Sequence, residues 1–188
     1  MGLAMDDRKI SREAILRDAL ALLKEVGLDG LSLRVLAARV GMRAPSLYWY
    51  FKDKNALLDG VMEEVFNQCL DMVPDHLQWR DWMRGFGEAL LQVQSQVPDF
   101  GRLVTTTDIA DDHFSRTIER LREKLERLDM PFEEAVKLQS AVQALTTGWS
   151  DFTHAPYADK LRRVFDPEET ALRSLDALIQ GWTWEGCG

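Results

Sequence analysis

The segment from Leu31 to Leu58, LSLRVLAARVGMRAPSLYWYFKDKNALL, contains two short helical patterns joined by a tight turn. In the first pattern, apolar residues recur at the i, i+3, i+4 and i+7 spacing of one helix face, at Leu33, Leu36, Ala37 and Val40. Ser32 is placed to cap the start of this helix, and Gly41 supplies the backbone freedom that a sharp turn needs. This arrangement predicts a helix-turn-helix.

The second helix of this motif is predicted to begin near Pro45, whose fixed φ and missing N–H suit a first helical position. Its predicted inner face consists of Leu47, Tyr48 and Phe51. The residues left to point outward are Arg43, Ala44, Ser46, Trp49 and Tyr50. A helix-turn-helix places a small, hydroxylated and aromatic face of this kind in the major groove of DNA, so DNA binding is the leading hypothesis.

Charge is distributed unevenly along the chain, although the net charge is -8. Residues 8–54 carry ten Lys/Arg and five Asp/Glu, a balance of +5, while the remainder carries 13 and 26, a balance of -13. A basic N-terminal part attracts phosphates, and an acidic remainder keeps the rest of the surface away from DNA. Arg8 and Lys9 are expected either to reach the DNA backbone or minor groove or to form a solvated tail.

Composition excludes several other classes of protein. Apolar residues make up 46% and charged residues 29%, which is a globular balance. No run of about 18 uncharged apolar residues is present to span a membrane, and the acidic N-terminus MGLAMDDRKI does not have the pattern of a signal peptide. The two cysteines, Cys69 and Cys187, form no disulfide framework, so we expect a cytoplasmic protein with reduced thiols.

Helical periodicity continues along the whole chain, and strand signals are nearly absent. The first helix is expected to end at Gly27 and to bury Ile15, Ala19, Leu22, Leu23 and Val26. After the helix-turn-helix, further helices are predicted at about 53–73, 79–97, 115–128, 132–152 and 168–184, with a short irregular piece at 100–109. These predict an all-α fold of roughly nine helices, in which a three-helix basic head, residues 1–52, precedes a helical-bundle body, residues 53–188.

The order of these motifs resembles the TetR family of bacterial transcription repressors, and the tetracycline repressor branch is the nearest. The resemblance is carried by Leu47-Tyr48-Trp49, by Lys52-Asp53-Lys54 and by Ala56-Leu57-Leu58-Asp59. It is strong over residues 18–66 and weaker from 79 to 149, where Ser140-Ala141-Val142 and Gly148 belong to it. The resemblance implies a homodimer that binds a palindromic DNA operator and releases it when a small molecule enters the body.

The resemblance also implies which residues contact DNA. Arg34 would present a bidentate fork to guanine, worth about 1–3 kcal/mol of discrimination, and Lys54 would bind phosphate beside a helix N-terminus. The other candidates are Ser32, Arg43, Ala44, Pro45, Ser46, Tyr48, Trp49 and Tyr50. For Trp49 and Tyr50 the alternative is packing against neighbouring helices. Arg43, Ala44 and Tyr50 differ from the residues of the nearest relatives, so the operator sequence is not inherited.

The body has more aromatic side chains than so small a bundle needs, and apolar pockets with a few polar groups are where small molecules bind. The candidate ligand-binding residues are Phe86, Leu90, Leu103, Val104, Thr107, Gln139, Val142 and Trp149. For each of them, core packing is an equally good explanation.

No metal or other cofactor is expected. The nearest relatives hold a magnesium–tetracycline chelate with a histidine, an arginine and a glutamate, whereas Val104, Asp108 and Phe152 stand near those places in this sequence. Because magnesium requires oxygen ligands, we expect an apolar or aromatic effector instead. The cluster Asp111-Asp112-His113 is expected to be an acidic loop, since no second histidine stands at ligand spacing.

The last helix carries an apolar stripe formed by Ala171, Leu172, Leu175, Leu178, Ile179 and Trp182. Paired with the helix at 132–152, this stripe is expected to form half of a four-helix dimer seam, as twofold operator binding requires. The alternative is that the stripe closes the core of the monomer.

Two other functions stay open at this point. An all-α enzyme is disfavoured, because His76, His113 and His154 are isolated and no glycine-rich phosphate loop or nucleophile–histidine spacing is present. A helical module that binds a small molecule or a partner without acting on DNA is the main alternative. Repression and activation are not distinguished, because the sign depends on where the operator lies.

Overall fold

The computed structural model describes residues 10–75, 78–97 and 99–184, which form ten helices and no strand. In chain order they are α1 (Arg12–Gly30), α2 (Leu33–Arg39), α3 (Ala44–Leu47), α4 (Lys54–Asp71), α5 (Trp79–Gln94), α6 (Phe100–Thr106), α7 (Asp111–Leu125), α8 (Phe132–His154), α9 (Ala158–Leu161) and α10 (Pro167–Gly181). The all-α prediction is confirmed. The predictions made for Arg8, Lys9, His76 and Cys187 lie outside the described residues.

Side chains cap the starts of α1, α2, α4 and α10. The capping oxygen accepts a hydrogen bond from the backbone N–H three residues later, from Val35 to Ser32 at 3.3 Å and from Ala56 to Asp53 at 2.8 Å. Such a cap stabilises a helix by about 1 kcal/mol. These starts are therefore encoded by the local sequence, at Ser11, Ser32, Asp53 and Asp166.

α1 extends three residues past its predicted end, with a change of direction inside it. Gly27 has φ 69°, a left-handed conformation that favours glycine. The prediction that Val26 is buried is wrong, because the chain turns at Gly27 and Leu28 and Leu31 take the buried positions instead. Ile15, Ala19, Leu22 and Leu23 are buried as predicted.

The second helix of the motif, α3, is shorter than its pattern predicts. Regular helix ends at Leu47, and the N–H of Tyr50 donates to the carbonyl oxygen of Leu47, three residues back, at 2.9 Å. Leu47 and Phe51 face the core as predicted. The tighter winding rotates Tyr48 outward, so its predicted place on the inner face is wrong.

Tyr50 turns inward instead of outward. Its hydroxyl donates to the carbonyl oxygen of Ile10 at 3.1 Å, and its ring centroid lies 6.5 Å from that of Phe51. The predicted outward position of Tyr50 is therefore wrong, and the packing alternative describes it better.

α4 packs against α1 on one side and against α5, α6 and α7 on the other. Leu57, Val61 and Val65 are fully buried on it. Gly60 permits the close approach to α1, because a Cβ there would lie 2.8 Å from Cδ2 of Leu16. One apolar core thus continues from the head into the body through α4, and the division at residue 52 stays a prediction.

In the body, α5, α8 and α10 pack on one another, with α6 against α8 and α7 against α4 and α8. The predicted irregular piece at 100–109 contains α6, and α9 lies in the predicted loop after α8. On α10, Ala171, Leu175 and Ile179 are buried, while Leu172, Leu178 and Trp182 are half-buried. The buried half of the stripe closes the monomer core, as the alternative proposed. None of the helices in the described ranges is long and apolar enough to cross a membrane.

Two neighbours on α2 provide a test of this core. Leu36 is fully buried and Val35 is exposed. Leu36→Ala is expected to lower the free energy of unfolding by about 2–5 kcal/mol, since it leaves a cavity, whereas Val35→Ala is expected to cost about 0.5 kcal/mol. Urea denaturation measures both, and equal midpoint shifts for the two variants would contradict the packing of α2.

Candidate nucleic-acid interface and ligand cavity

The helix-turn-helix exposes large side chains that a monomer would ordinarily bury. Trp49 is 90% exposed and Tyr48 is 56% exposed. Arg34 on α2, together with Arg43 and Pro45 at the start of α3, is also exposed. We call these five residues the head tip. Exposed aromatic groups among guanidinium groups are typical of a binding surface, and packing against neighbouring helices does not explain Trp49.

The other residues predicted to contact DNA are less exposed or already hydrogen-bonded within the chain. Ser32, Ala44 and Ser46 are half-buried, and the hydroxyl of Ser32 is engaged in capping α2. Nζ of Lys54 donates to the carbonyl oxygen of Leu28 at 2.8 Å, which ties the start of α4 to the end of α1. A lysine ammonium has three donors, so this bond leaves two N–H groups of Lys54 for a phosphate.

The body contains a cavity of about 290 Å³ between α4, α5, α6, α7 and α8. Its volume lies near the lower end of the range for small-molecule pockets, roughly 300–1,000 Å³. The wall is predominantly hydrocarbon and aromatic, with polar groups from His113, Thr117, Gln139, Ser140 and Gln143.

The structure divides the predicted ligand residues into two groups. Leu90, Val104 and Gln139 line the cavity. The other five are not among its lining residues: Phe86, Leu103 and Val142 are fully buried in the core, Thr107 is half-buried beyond the end of α6, and Trp149 lies on the outer side of α8. For these five, core or surface packing describes the position better.

Most residues of the cavity wall were not predicted from the sequence. The missed residues come mainly from α4, α7 and α8, and they are Met62, Val65, Phe66, Phe100, Ile109, His113, Phe114, Thr117, Ile118, Leu121, Val136, Ser140 and Gln143. A signal was present on α7, where Phe114, Thr117, Ile118 and Leu121 follow the i, i+3, i+4, i+7 spacing. Two members of that face, Thr117 and Ile118, are only half-buried, which fits a cavity wall.

His113 is the one histidine among the described lining residues. It is buried near the start of α7, and its Nδ1 is hydrogen-bonded to Oδ1 of the buried Asp59 on α4. The histidine is thus part of a helix–helix contact and not of the acidic loop predicted from Asp111-Asp112-His113.

The described residues contain no group of three or more His, Cys, Asp or Glu side chains arranged to hold a metal ion. Cys69 is a free thiol in the core, and burial raises its pKa to about 12, so it stays protonated near neutral pH. Of the three positions that stand near the metal-chelate residues of relatives, Val104 lines the cavity, Asp108 lies in the loop after α6, and Phe152 packs on Trp149 at the surface of α8.

The loop between α6 and α7, which borders the cavity at Ile109, is fastened to the first turn of α4. Nδ2 of Asn55 donates to the carbonyl oxygen of Asp108 at 2.8 Å, and the N–H of Asp108 donates to Oδ1 of Asn55 at 3.0 Å. A second connection joins α6 to the head, since Nη1 of Arg102 donates to Oδ2 of Asp29 at 3.1 Å. The helix and loop that border the cavity are therefore hydrogen-bonded to α1 and α4, and α1 packs against α2 of the helix-turn-helix.

A charged contact joins α4 and α7 beside the cavity. Arg116 donates from Nε and Nη2 to the two carboxylate oxygens of Glu63, at 3.1 and 3.2 Å. Burial by itself raises the pKa of Glu63, but the hydrogen bonds and charge of Arg116 outweigh it, with smaller contributions from His113 and Arg12, and hold that pKa below its ordinary value of 4.5.

Comparison with known proteins supports this description. Residues 15–61 match the N-terminal domain of the bacterial regulatory proteins of the tetR family. The chain is 44% identical over 89 residues to the tetracycline repressor protein class C of Escherichia coli, a match that covers 44% of this chain and 41% of that repressor. The matched segment thus spans about two fifths of the relative's length.

Two solved structures resemble the chain over nearly its full length. A TetR variant from Acinetobacter baumannii AYE in complex with minocycline is 26% identical, with a TM-score of 0.68, and the match covers 92% of this chain and 96% of that one. A class A TetR in complex with 5a,6-anhydrotetracycline and magnesium is 26% identical with a TM-score of 0.64, over 89% and 94%. The resemblance to the TetR family is confirmed, by sequence in the N-terminal domain and by fold in the body.

The Glu63–Arg116 contact predicts a pH-dependent loss of stability. Because the pKa of Glu63 is lower in the folded chain, its carboxylate contributes stability above its ordinary pKa of 4.5, and this is lost as the pH falls through the folded value. Glu63→Gln is expected to lower the free energy of unfolding at about pH 7, and the difference from wild type is expected to shrink toward about pH 3.

Urea denaturation at a series of pH values measures this effect. Glu64→Gln is the matched control, because Glu64 accepts a hydrogen bond from Gln68 and forms no ion pair within the described ranges. A deficit of Glu63→Gln that is the same at every pH would contradict the assigned ion pair.

Proposed function

We propose that this chain, which carries the N-terminal domain of the tetR family, is a ligand-responsive transcription repressor. It binds a palindromic DNA operator as a homodimer in the cytoplasm and is released by a small apolar or aromatic effector. The observation that carries the proposal is the combination of an exposed head tip, with Trp49 90% exposed, and a separate apolar cavity whose bordering elements are hydrogen-bonded to α1 and α4.

In this proposal the head tip contacts the major groove. Arg34 supplies the bidentate donor for a guanine edge, and Tyr48, Trp49 and Pro45 contact base methyl groups and phosphates. Arg43 and the free N–H groups of Lys54 contribute phosphate contacts, which make the affinity salt-dependent. Ser32, Ala44 and Ser46 approach the DNA with their exposed portions, while Tyr50 supports the turn from inside.

The dimer seam is proposed on the outer face of α8. Ala144, Leu145, Gly148, Trp149 and Phe152 form an open apolar groove there, and the half-buried Leu172 of α10 lines an adjoining pocket together with Trp149. A twofold axis through this face sets the two head tips about one DNA turn apart, roughly 34–36 Å, so that they enter successive major grooves.

Release follows from the contacts between cavity and head. An effector that displaces the α6–α7 loop pulls on Asn55 through Asp108, and α4 transmits the shift to the head. The effector must bind the DNA-free conformation more tightly than the DNA-bound one, because a ligand shifts an equilibrium only by its differential affinity.

Selection of bound DNA from a random pool at stated salt tests the proposal, and enrichment of a palindrome is expected. Arg34→Ala is then expected to weaken binding to that palindrome by about 1–3 kcal/mol, because a bidentate base contact is lost. Arg173→Ala, which removes an equal charge from the exposed side of α10, is the matched control. Failure to enrich any sequence, or equal loss in both variants, would favour a binding module that does not act on DNA.

Gly148 provides a test of the dimer seam. A Cβ at this position meets no atom within 4 Å in the monomer, so the helix surface is open where a side chain would begin. Gly148→Glu is expected to convert the dimer to monomers in analytical ultracentrifugation, because it places a charge in an apolar interface. Gly148→Ala is expected to remain dimeric, and a dimeric Gly148→Glu would place the seam elsewhere.

A further inference from the structure

One polar group of the cavity wall is held in a fixed orientation from outside the cavity. His113 is 4% exposed and Asp59 is 7% exposed, and the carboxylate of Asp59 bonds to Nδ1 of His113. Since Nδ1 is occupied, Nε2 is the ring nitrogen left for a ligand, and it has no hydrogen-bond partner within the described ranges. A carboxylate behind a histidine fixes the orientation of the ring.

The rest of the cavity offers little that competes for a polar ligand group. Gln139 and Gln143 bond to each other, Nε2 of Gln139 donating to Oε1 of Gln143 at 3.0 Å, and the hydroxyl of Ser140 donates to the carbonyl oxygen of Val136. No lysine or arginine is among the described lining residues. Besides the hydroxyl of Thr117 and the remaining amide groups of the two glutamines, the described wall offers an incoming ligand the ring of His113, whose orientation a buried carboxylate fixes.

We infer that the effector is an aromatic molecule that carries a hydroxyl group, and that this hydroxyl is hydrogen-bonded to Nε2 of His113. The inference rests on the proposed function, because it takes the cavity as the effector site. A hydroxyl group both donates and accepts, so it pairs with Nε2 of a neutral imidazole and with the N–H of an imidazolium.

The other common ligand groups fit this site less well. A pure hydrocarbon leaves Nε2 without a partner in an apolar cavity, which costs the desolvation of that nitrogen. A carboxylate must give up its hydration near the negative charge of Asp59, which lies directly behind His113, and no lysine or arginine among the described lining residues compensates for this. A volume of about 290 Å³ favours a compact molecule of one or two rings.

The test compares four bicyclic probes on the full chain in the absence of DNA. Isothermal titration calorimetry at about pH 7 measures the binding of 1-naphthol, naphthalene, 1-methoxynaphthalene and 1-naphthoate. We expect 1-naphthol to bind about tenfold more tightly than each of the others, which corresponds to about 1.4 kcal/mol. Size alone does not produce this order, because naphthalene is smaller than 1-naphthol and 1-methoxynaphthalene is larger.

Variants assign the preference to His113. His113→Phe is expected to abolish the advantage of 1-naphthol over 1-methoxynaphthalene, whereas His154→Phe, which removes an exposed histidine at the end of α8, is expected to keep it. Because His113→Phe leaves the buried Asp59 without its partner, the double variant Asp59→Asn with His113→Phe is measured as well, after its folding is checked by circular dichroism.

Each outcome has one meaning. The inference is overturned if 1-naphthol does not bind, if the ether, hydrocarbon or carboxylate binds as tightly, or if the preference survives the loss of His113. The comparison among probes in the wild-type protein decides this even where a variant fails to fold. The selection of bound DNA from a random pool is a separate measurement, so a missing palindrome overturns the proposed repressor, and a missing naphthol preference overturns only the effector class.

Discussion

The burial of α4 on both of its sides is the constraint on which the rest of the structure depends. Gly60 lets this helix approach Leu16 of α1 closely, and Asp59 on the same turn is hydrogen-bonded to His113 of α7. Because packed interiors transmit displacements instead of absorbing them, α4 cannot shift against the body without moving the head. A helix-turn-helix held in this way is positioned by the whole bundle, and not by its own two short helices alone.

The cavity is lined in part by α4 as well. Its wall includes Met62 and Phe66 of α4 itself and Ile109 of the loop that Asn55 holds. A molecule that enters the cavity therefore touches the helix that packs on α1 of the head, with no intermediate domain between them. This arrangement allows a modest local displacement to be amplified, since packed interfaces switch between discrete arrangements.

Predictions from the sequence were most accurate where neighbours in the chain decide the structure. Ser32 caps α2 as predicted, and Asp53 caps α4 at the predicted start of that helix. Leu47 and Phe51 are buried as predicted. The prediction failed for Tyr48, which points outward where the helix periodicity placed it inward. The orientation of Tyr48 depends on the tighter winding of the chain after Leu47. A sequence pattern that assumes 3.6 residues per turn does not predict this tighter winding.

The sequence alone determined that the chain is helical, that a basic head with a helix-turn-helix precedes an acidic body, and which face of each helix is apolar, because these follow from local spacing and composition. Only the tertiary structure decided which apolar residues fill the core and which surround a cavity. Phe86 and Leu90 are neighbours on one face of α5, yet Leu90 lines the cavity and Phe86 does not. Periodicity shows which face of a helix is buried away from water. Whether a residue on that face touches the opposing helix or borders a cavity depends on the distance between the two helices, and that distance depends on how all the helices pack.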